Sequence, residues 1–275
     1  EEAFERKGME VRASHILVSV GPDASPADTL VAWNRIQTLR DRVVNGADFG
    51  EVARSKGGSE DPSVKSNGGD LGWFTAFQMV YPFECAAFET AEGDISEVVR
   101  TRFGYHILKV TGKRKARGEV HVAHIMERMP RTAPQDQVTN AEGRIMEVKR
   151  LLMSGGSFES LAMKYSEDPS TANKGGVLPW FGTGKMVEDF EDAAFAMTEV
   201  GEIAGPIRTD YGFHLIKLLN KKTLPTLDES RRELSKKVRR DSRSEITKTS
   251  FLSQLKQEYG VTIDMKRLDA LQDAA

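Results

Sequence analysis

Cysteine is almost missing from the chain: Cys85 stands alone among 275 residues. An intramolecular disulfide is therefore impossible, and a cysteine-based metal site has no ligand set. The same scarcity does not choose between a reducing and an oxidising compartment. No apolar run approaches the roughly 20 residues that a membrane-crossing helix needs. Neither sign of charge is in excess. Lys and Arg number 39 against 41 Asp and Glu, a net charge of −2, which leaves no electrostatic footprint for nucleic acid or an anionic membrane. No G-x-S-x-G, P-loop or H-E-x-x-H motif occurs, so the local signatures of serine hydrolases, nucleoside triphosphatases and zinc proteases are lacking. No signal segment is present. The opening EEAFERKG reads as the end of a helix, and the chain is expected to be cut from a longer protein, a cut that could have removed a signal segment.

What is present is a long repeat. Residues 67–110 and 174–218 carry the same pattern: Gly68-Gly69 matches Gly175-Gly176, and Trp73-Phe74 matches Trp180-Phe181. Met79 matches Met186, Phe83 matches Phe190, Phe88 matches Phe195, and His106 matches His214. A period near 108 residues is far above the roughly 20–50 residues of solenoid repeats. Each copy is thus a small domain. The expected organisation is a lead-in at 1–8, a first domain at 9–113, a linker at 114–118, a second domain at 119–222, and a C-terminal helical segment at 223–275.

Within each copy, apolar periodicity predicts strand, helices, strand, helix, strand, strand. Residues 10–20 alternate as a strand. Pro26 suits the first turn of a helix over 26–44, with Trp33, Ile36, Leu39 and Val43 on one face. A short helix at 48–55 turns Phe49, Val52 and Ala53 inward. A Gly- and Ser-rich loop over 56–69 leads to a strand at 71–74, a helix at 82–88, and strands at 95–101 and 105–110. The second copy repeats this order, with Val138, Ile145, Val148 and Leu152 on its long helix. Beyond 222, Thr226 and Glu229 form a candidate capping box. Leu227, Leu234, Val238, Ile246, Leu255 and Tyr259 trace a thin stripe on one long helix that needs a partner, such as an N-terminal segment outside the chain.

Four motifs recur in order: SHILV, SEDPS, GGDLGWF and FGYHILKV in the first copy; AHIM, SEDPS, GGVLPWF and YGFHLIKL in the second. On these, each copy resembles a parvulin-type peptidyl-prolyl isomerase domain. The tandem arrangement with a trailing helix is similar to the SurA- and PrsA-like envelope foldases of bacteria. The resemblance implies an α+β fold: two parvulin-like (FKBP-like) domains, each a four-stranded antiparallel sheet wrapped by helices. It implies paired histidines on neighbouring strands, His15 with His106 and His124 with His214, supported by Thr101 and Thr209. Asp61 and Asp168 would face the substrate amide. Leu71, Met79 and Phe83, and in the second copy Leu178, Met186 and Phe190, would line a proline pocket. Unfolded or partly folded chains containing X-Pro bonds would be the partners, and the periplasm or cell envelope the location.

The chemistry suits these residue types. Rotation about a peptide bond is opposed by amide resonance, about 18–20 kcal/mol, and no covalent bond need break. No metal, cofactor or nucleophile is required. An apolar cup of Met and Phe can hold the proline ring and favour the twisted amide over the planar one. Because isomerisation transfers no net proton, the histidines read as a hydrogen-bonded floor. Asp61 and Asp168 carry two readings, an electrostatic group near the amide or the cap of an Asp-Pro turn. His121 and His124 lie on one strand and reach the same side only across a bulge, a poor start for a metal site. Trp73 and Trp180 read as packing residues. Two extra residues separate Phe49 from Asp61 relative to Phe158 and Asp168, and Pro179 stands where the first copy has Gly72. A peptide-binding chaperone with one or both copies idle is the alternative to a working isomerase.

Overall fold

The computed structural model describes residues 1–260, without the side chains of Ser242, Glu245, Ile246 and Thr247. In chain order its elements are α1 (Glu2–Lys7), β1 (Met9–Ser19), α2 (Pro26–Val44), α3 (Phe49–Arg54), α4 (Val64–Asn67), β2 (Asp70–Phe74), α5 (Tyr81–Glu89), β3 (Val99–Thr101) and β4 (Gly104–Lys115). There follow β5 (Glu119–Arg128), α6 (Gln135–Met153), α7 (Phe158–Tyr165), α8 (Glu188–Ala196), β6 (Ile203–Thr209), β7 (Gly212–Lys222), α9 (Leu227–Arg240) and α10 (Ser242–Glu258). The fold is α+β, with two antiparallel sheets ordered β2-β1-β4-β3 and β5-β7-β6.

The central strands are buried on both faces, and their parity sorts the core. In β1, Ile16 and Val18 face α2 and α3, where Ile36, Leu39, Val43, Phe49 and Val52 meet them. Val11 and Ala13 face the other way, toward Phe74, Phe83 and Ala87. The second sheet divides in the same manner, Ile125 going to the α6 side and Val120 and Val122 to the Phe190 side. Helix α2 starts where its sequence directs: the Ser25 side chain accepts from the Asp28 N–H at 3.1 Å, with Pro26 in the first turn. Ala32, rather than Trp33, completes its buried face. Trp33 flanks that face and sets its ring edge-on to Tyr105.

Four local features depart from the sequence reading. The strand expected over 95–101 is a ladder strand only at Val99–Thr101, with Ile95 in an isolated bridge to Lys109. The loop after Lys56 contains the single turn α4, which ends at Gly68 with left-handed φ of 66°. Residues 177–181 form no ladder strand: two isolated bridges, Val120 to Phe181 and Ala123 to Val177, stand where the first sheet has β2. Pro179 has no N–H to give to a ladder, so the second sheet has three strands and a bridged edge. Strand β4 also runs to Lys115, two residues into the predicted linker.

The C-terminal segment is two helices rather than one. The Thr226–Glu229 capping box opens α9. Asp241 then leaves the helical conformation and caps α10, its carboxylate accepting from the Arg243 N–H at 2.9 Å. Leu234 of the apolar stripe is buried, and α9 packs on α1, so the helical lead-in is the partner of the α9 part of the stripe, whereas Tyr259 at the end of α10 is exposed. The side chain of Ile246 and residues 261–275 lie outside the described residues.

The two halves meet around Glu10, which is 1% exposed. Its carboxylate accepts from Arg114 Nε at 2.7 Å, the Arg117 N–H at 3.0 Å and the Thr183 hydroxyl at 2.5 Å. Arg12 spans the same boundary, reaching Asp70 at 2.8 Å and Glu188 at 2.6 Å. Gln78 Nε2 donates to the Thr183 carbonyl at 2.8 Å. The loops that precede α5 and α8 therefore touch one another.

Candidate active sites

Antiparallel register sets the histidines. His15 pairs with Leu108 and Leu17 pairs with His106, so the two rings are diagonal neighbours on one face of adjacent strands. In the second sheet, His124 pairs with Ile216 and Met126 with His214, giving the same diagonal. The Nδ1 atoms stand 3.4 Å apart in both copies. All four histidines are buried, at most 6% exposed as residues.

Each pair ends in a Thr on one side and an Asp on the other. In the first copy, Thr101 Oγ1 lies 2.8 Å from His106 Nε2, and His15 Nε2 lies 3.1 Å from Asp61 Oδ2. In the second, Thr209 Oγ1 lies 2.9 Å from His214 Nε2, and His124 Nε2 lies 2.9 Å from Asp168 Oδ2. The donor inventory fixes the direction of the chain. The ionised Asp61 carboxylate can only accept, so His15 Nε2–H donates to it and the neutral ring's Nδ1 is left as an acceptor. His106 Nδ1–H then donates to His15 Nδ1, and His106 Nε2 accepts the Thr101 O–H, whose oxygen also accepts the Phe103 N–H at 3.1 Å. Asp168 imposes the same order on the second copy, with the Tyr211 N–H at Thr209 Oγ1, 3.1 Å. Both rings of each pair are neutral in this arrangement.

Electrostatics agree with that assignment. Burial, and then the neighbouring His15, lower the His106 pKa to about 4. Burial and His124 lower His214 to about 4 in the same way. Burial also lowers His15 and His124, against the opposing pull of Asp61 and Asp168. Burial pushes the Asp61 carboxyl up, but hydrogen bonds from Ser63 and the nearby His15 outweigh it and hold the group below the usual carboxylate range. Asp168 is pushed up by burial too, and is held lower still by Thr171, Ser170 and His124.

The SEDPS motif builds the loop that delivers each Asp. Ser59 Oγ accepts the Leu17 N–H at 3.0 Å and the Asp61 N–H at 3.3 Å, pinning the loop to β1. The Glu60 N–H donates to the Leu17 carbonyl at 2.8 Å, and its carboxylate accepts the Ser19 N–H at 2.7 Å. Asp61 Oδ1 accepts the Ser63 N–H at 2.7 Å. Asp61 thus caps its own turn with one oxygen and holds His15 with the other, so both sequence readings describe part of it. Ser166, Glu167, Asp168 and Ser170 repeat each contact in the second copy. The two extra residues before Asp61 are taken up by a turn at Ser55–Gly58, where α7 instead runs on to Tyr165.

Phe83 closes the floor of the first site, its ring edge-on to His15 and His106 at 5.7 and 5.4 Å. Phe190 does so in the second, at 5.7 Å from His124 and 5.3 Å from His214. Leu71 and Met79 are half-buried against Phe83 in one cluster, and Leu178 and Met186 against Phe190 in the other. The structure therefore brings all the sequence-predicted site residues of each copy to one side of its sheet. His121 goes elsewhere and stacks on Trp180, with ring centroids 5.2 Å apart, while Trp73 lies under the Arg114 guanidinium. Among the described residues, no group of three or more His, Cys, Asp or Glu side chains converges to hold a metal ion.

The PPIC-type PPIASE domain profile matches residues 2–114 and again 108–222. The chain belongs to the PPIC-type peptidyl-prolyl isomerase family. Chaperone SurA of Pseudomonas aeruginosa is 31% identical over 259 residues, covering 92% of this chain and 60% of that protein. Chaperone SurA of Chromohalobacter salexigens is 32% identical over 227 residues, 80% of this chain and 51% of that one. The chain thus spans between half and three-fifths of the length of these curated relatives. The crystal structure of the peptidylprolyl isomerase PrsA from Bacillus cereus shares 32% identity across 54% of this chain and 52% of its own, with a TM-score of 0.34. That overlap is too small to bear on the arrangement of the whole chain.

One contact of the second site escaped the sequence reading. Thr171 Oγ1 lies 3.1 Å from His124 Nε2 and also bonds Asp168. The first copy has Val64 at that position, buried in the core instead. A Thr-for-Val difference inside an otherwise shared loop motif was the available signal. The second glycine of each pair, already matched between the copies in the sequence, is packed directly against the histidine strand. A Cβ on Gly176 would lie 2.1 Å from the His124 carbonyl oxygen, and φ there is +79°. Gly176→Ala is accordingly expected to cost about 2 kcal/mol, read as a lower urea midpoint. Thr171→Val, which gives the second copy the first copy's residue, should cost only about 1 kcal/mol in the same assay.

Proposed function

We propose that the chain is a peptidyl-prolyl cis-trans isomerase with two working sites, acting on unfolded or partly folded polypeptides in the bacterial envelope. The functional units on this reading are residues 9–113 and 119–222. The observation that carries it is the duplication of a complete constellation: a neutral His pair, its Thr and Asp anchors, and an apolar Leu-Met-Phe cup, at matching distances in both copies.

The proline ring would sit on Phe83 or Phe190, between Leu and Met side chains that adapt to its shape. A planar amide is charge-separated, with negative charge on oxygen. A dry apolar site disfavours that form, and a fixed Asp61 or Asp168 anion near the carbonyl oxygen disfavours it further. The twisted transition state has lost this resonance and is penalised less, which is differential binding in the required direction. A thousandfold acceleration requires about 4 kcal/mol. The carboxylates stay ionised and the histidines neutral throughout, so each group serves as a fixed electrostatic and steric element.

Exchange spectroscopy by NMR on a short X-Pro peptide tests the reading. The uncatalysed process takes about 10–100 s, and the chain is expected to bring exchange into the millisecond-to-second range at catalytic concentration. Binding of the peptide without faster exchange would overturn the isomerase reading in favour of a peptide-holding chaperone. The naming of the curated relatives as chaperones supports that second reading, and the two activities can also coexist on one surface.

A further inference from the structure

A buried carboxylate follows each pocket phenylalanine. Glu84, next to Phe83, is 0% exposed, and Glu191, next to Phe190, is 3% exposed. Each accepts backbone N–H groups from the loop that carries the pocket methionine. Glu84 takes the Phe77 N–H at 2.7 Å; Glu191 takes Gly184 at 2.9 Å and Lys185 at 3.3 Å. These carboxylates therefore tie the pocket helix to the loop before Met79 or Met186. A carboxylate so deeply buried needs a cation, and in both copies the cation comes from outside the sheet's own elements.

The two copies use different cations. Glu191 is matched by Arg117, between β4 and β5, at 2.6 Å. Glu84 is matched by Arg243 on α10, whose Nη2 reaches both carboxylate oxygens at 3.0 and 3.1 Å, with Arg6 of α1 at 3.3 Å. Arg243 is itself buried, and its Nε bonds Asp241 at 2.9 Å. A second difference falls on the loop. Phe77 and Gly184 occupy equivalent positions, and both have left-handed backbone, φ of 69° and 76°. Glycine adopts that conformation freely, whereas a bulky residue does not. The Phe77 ring is held: the Arg243 guanidinium carbon lies 4.2 Å from its centroid and 4.6 Å from that of Tyr81. A disfavoured backbone conformation persists where surrounding contacts over-determine it; here Glu84 of α5 holds the Phe77 N–H, and Arg243 of α10 holds both the ring and Glu84.

We propose that Arg243 is a positioning residue for the first proline pocket. Through Glu84 and Phe77, α10 sets the loop that carries Met79, and the second pocket is independent of that helix. This assignment rests on the isomerase reading of the pockets. It gives the trailing helical segment a specific task, to hold one of two otherwise equivalent sites in its binding geometry.

The test uses the full chain with methyl-labelled methionine and a short apolar X-Pro peptide, titrated by NMR. The Met79 and Met186 methyl signals report each pocket separately. Arg243→Met is expected to weaken binding at Met79 about tenfold and leave Met186 unchanged. Arg243→Lys, which keeps charge but not the planar fork, should fall between Arg243→Met and the parent. Glu84→Gln combined with Arg243→Met removes the buried anion that Arg6 alone would be left to match, and should recover most of the loss, which a general loosening of the fold would not do. Unchanged affinity at Met79, or equal loss at both methionines, would overturn the assignment. Should Arg243→Met fail to fold, Phe77→Gly relieves the backbone while deleting the ring contact. It is expected to weaken the Met79 site about threefold, and no change there also overturns the proposal. If neither methyl responds in the parent chain, the pocket reading fails and the assignment with it.

Discussion

Lowering the pH from 6.5 to 4 is expected to cost each domain about 3 kcal/mol of stability. The cause is the histidine pair. His106 and His214 have folded pKa values near 4 against an ordinary 6.5. Between those limits the unfolded chain binds a proton at each position and the folded chain does not. The stabilisation is therefore complete above pH 6.5, falls through the interval, and is fully lost below about 4. His15 and His124 are shifted in the same direction and add to the slope. Asp61 and Asp168 are also depressed, but their contribution is lost only at lower pH, as the carboxylates protonate. The two windows are thus separable. Urea unfolding at half-unit steps from pH 7.5 to 4 reads the effect directly, and a flat midpoint across that range would falsify the neutral-pair assignment. His106→Gln with His214→Gln provides the control. Glutamine can donate to the partner Nδ1 and accept from the Thr hydroxyl, so the network survives while its titration disappears, and most of the slope should vanish. Because no net proton moves during isomerisation, the rate itself is expected to be flat above pH 6.5.

Much of this site was legible before any coordinates, and the reason is duplication. A repeat marks which residues belong together: Met79 with Met186 and His106 with His214 were matched by position alone. Helix α2 was legible because Pro26 and Asn45 punctuate a run with clear apolar period. The facing of His15 on His106 was not, because nothing local encodes a pairing across 91 residues, and it came from resemblance. Short elements were also hidden. Helix α4 is one turn of Val-Lys-Ser-Asn, too brief for any period to show. The break at Asp241 lies inside a run of charges that reads as one solvated helix. Least visible was the buried ionic web. Glu10, Glu84 and Glu191 look like surface acids in sequence, and their partners Arg114, Arg243 and Arg117 lie 104, 159 and 74 residues away. Phe77 gave no warning of its positive φ, since only the glycine at the matching position, Gly184, carries that signal.

Emptying the two cups separately should show that both turn over. Met79 and Met186 are half-buried on the rim of their clusters, not in the sheet core, so truncating either is expected to cost only about 1 kcal/mol of stability. The catalytic cost is larger, because the side chain meets the proline ring only in the bound state. Loss of that apolar wall removes about 2 kcal/mol of transition-state binding, or roughly thirtyfold in rate at the affected site. With two equal sites, Met79→Ala and Met186→Ala should each leave about half of the parent exchange rate, since the untouched domain continues to work. The double variant should fall roughly thirtyfold while unfolding cooperatively near the parent's urea midpoint. Unequal singles would identify the productive site: an undiminished rate in Met79→Ala with a collapse in Met186→Ala would make the first domain a peptide-binding module. The geometry argues against that inequality. The His–His, His–Asp and Thr–His distances agree within 0.2 Å between the copies: 3.4 and 3.4, 3.1 and 2.9, 2.8 and 2.9 Å. The differences at Thr171 and Pro179 lie beside the floor and at the sheet edge, and that of Phe77 against Gly184 lies on the loop before the methionine, so Leu71, Met79 and Phe83 keep the same clusters as Leu178, Met186 and Phe190. A full rate in the double variant would remove the proline cup from the mechanism altogether.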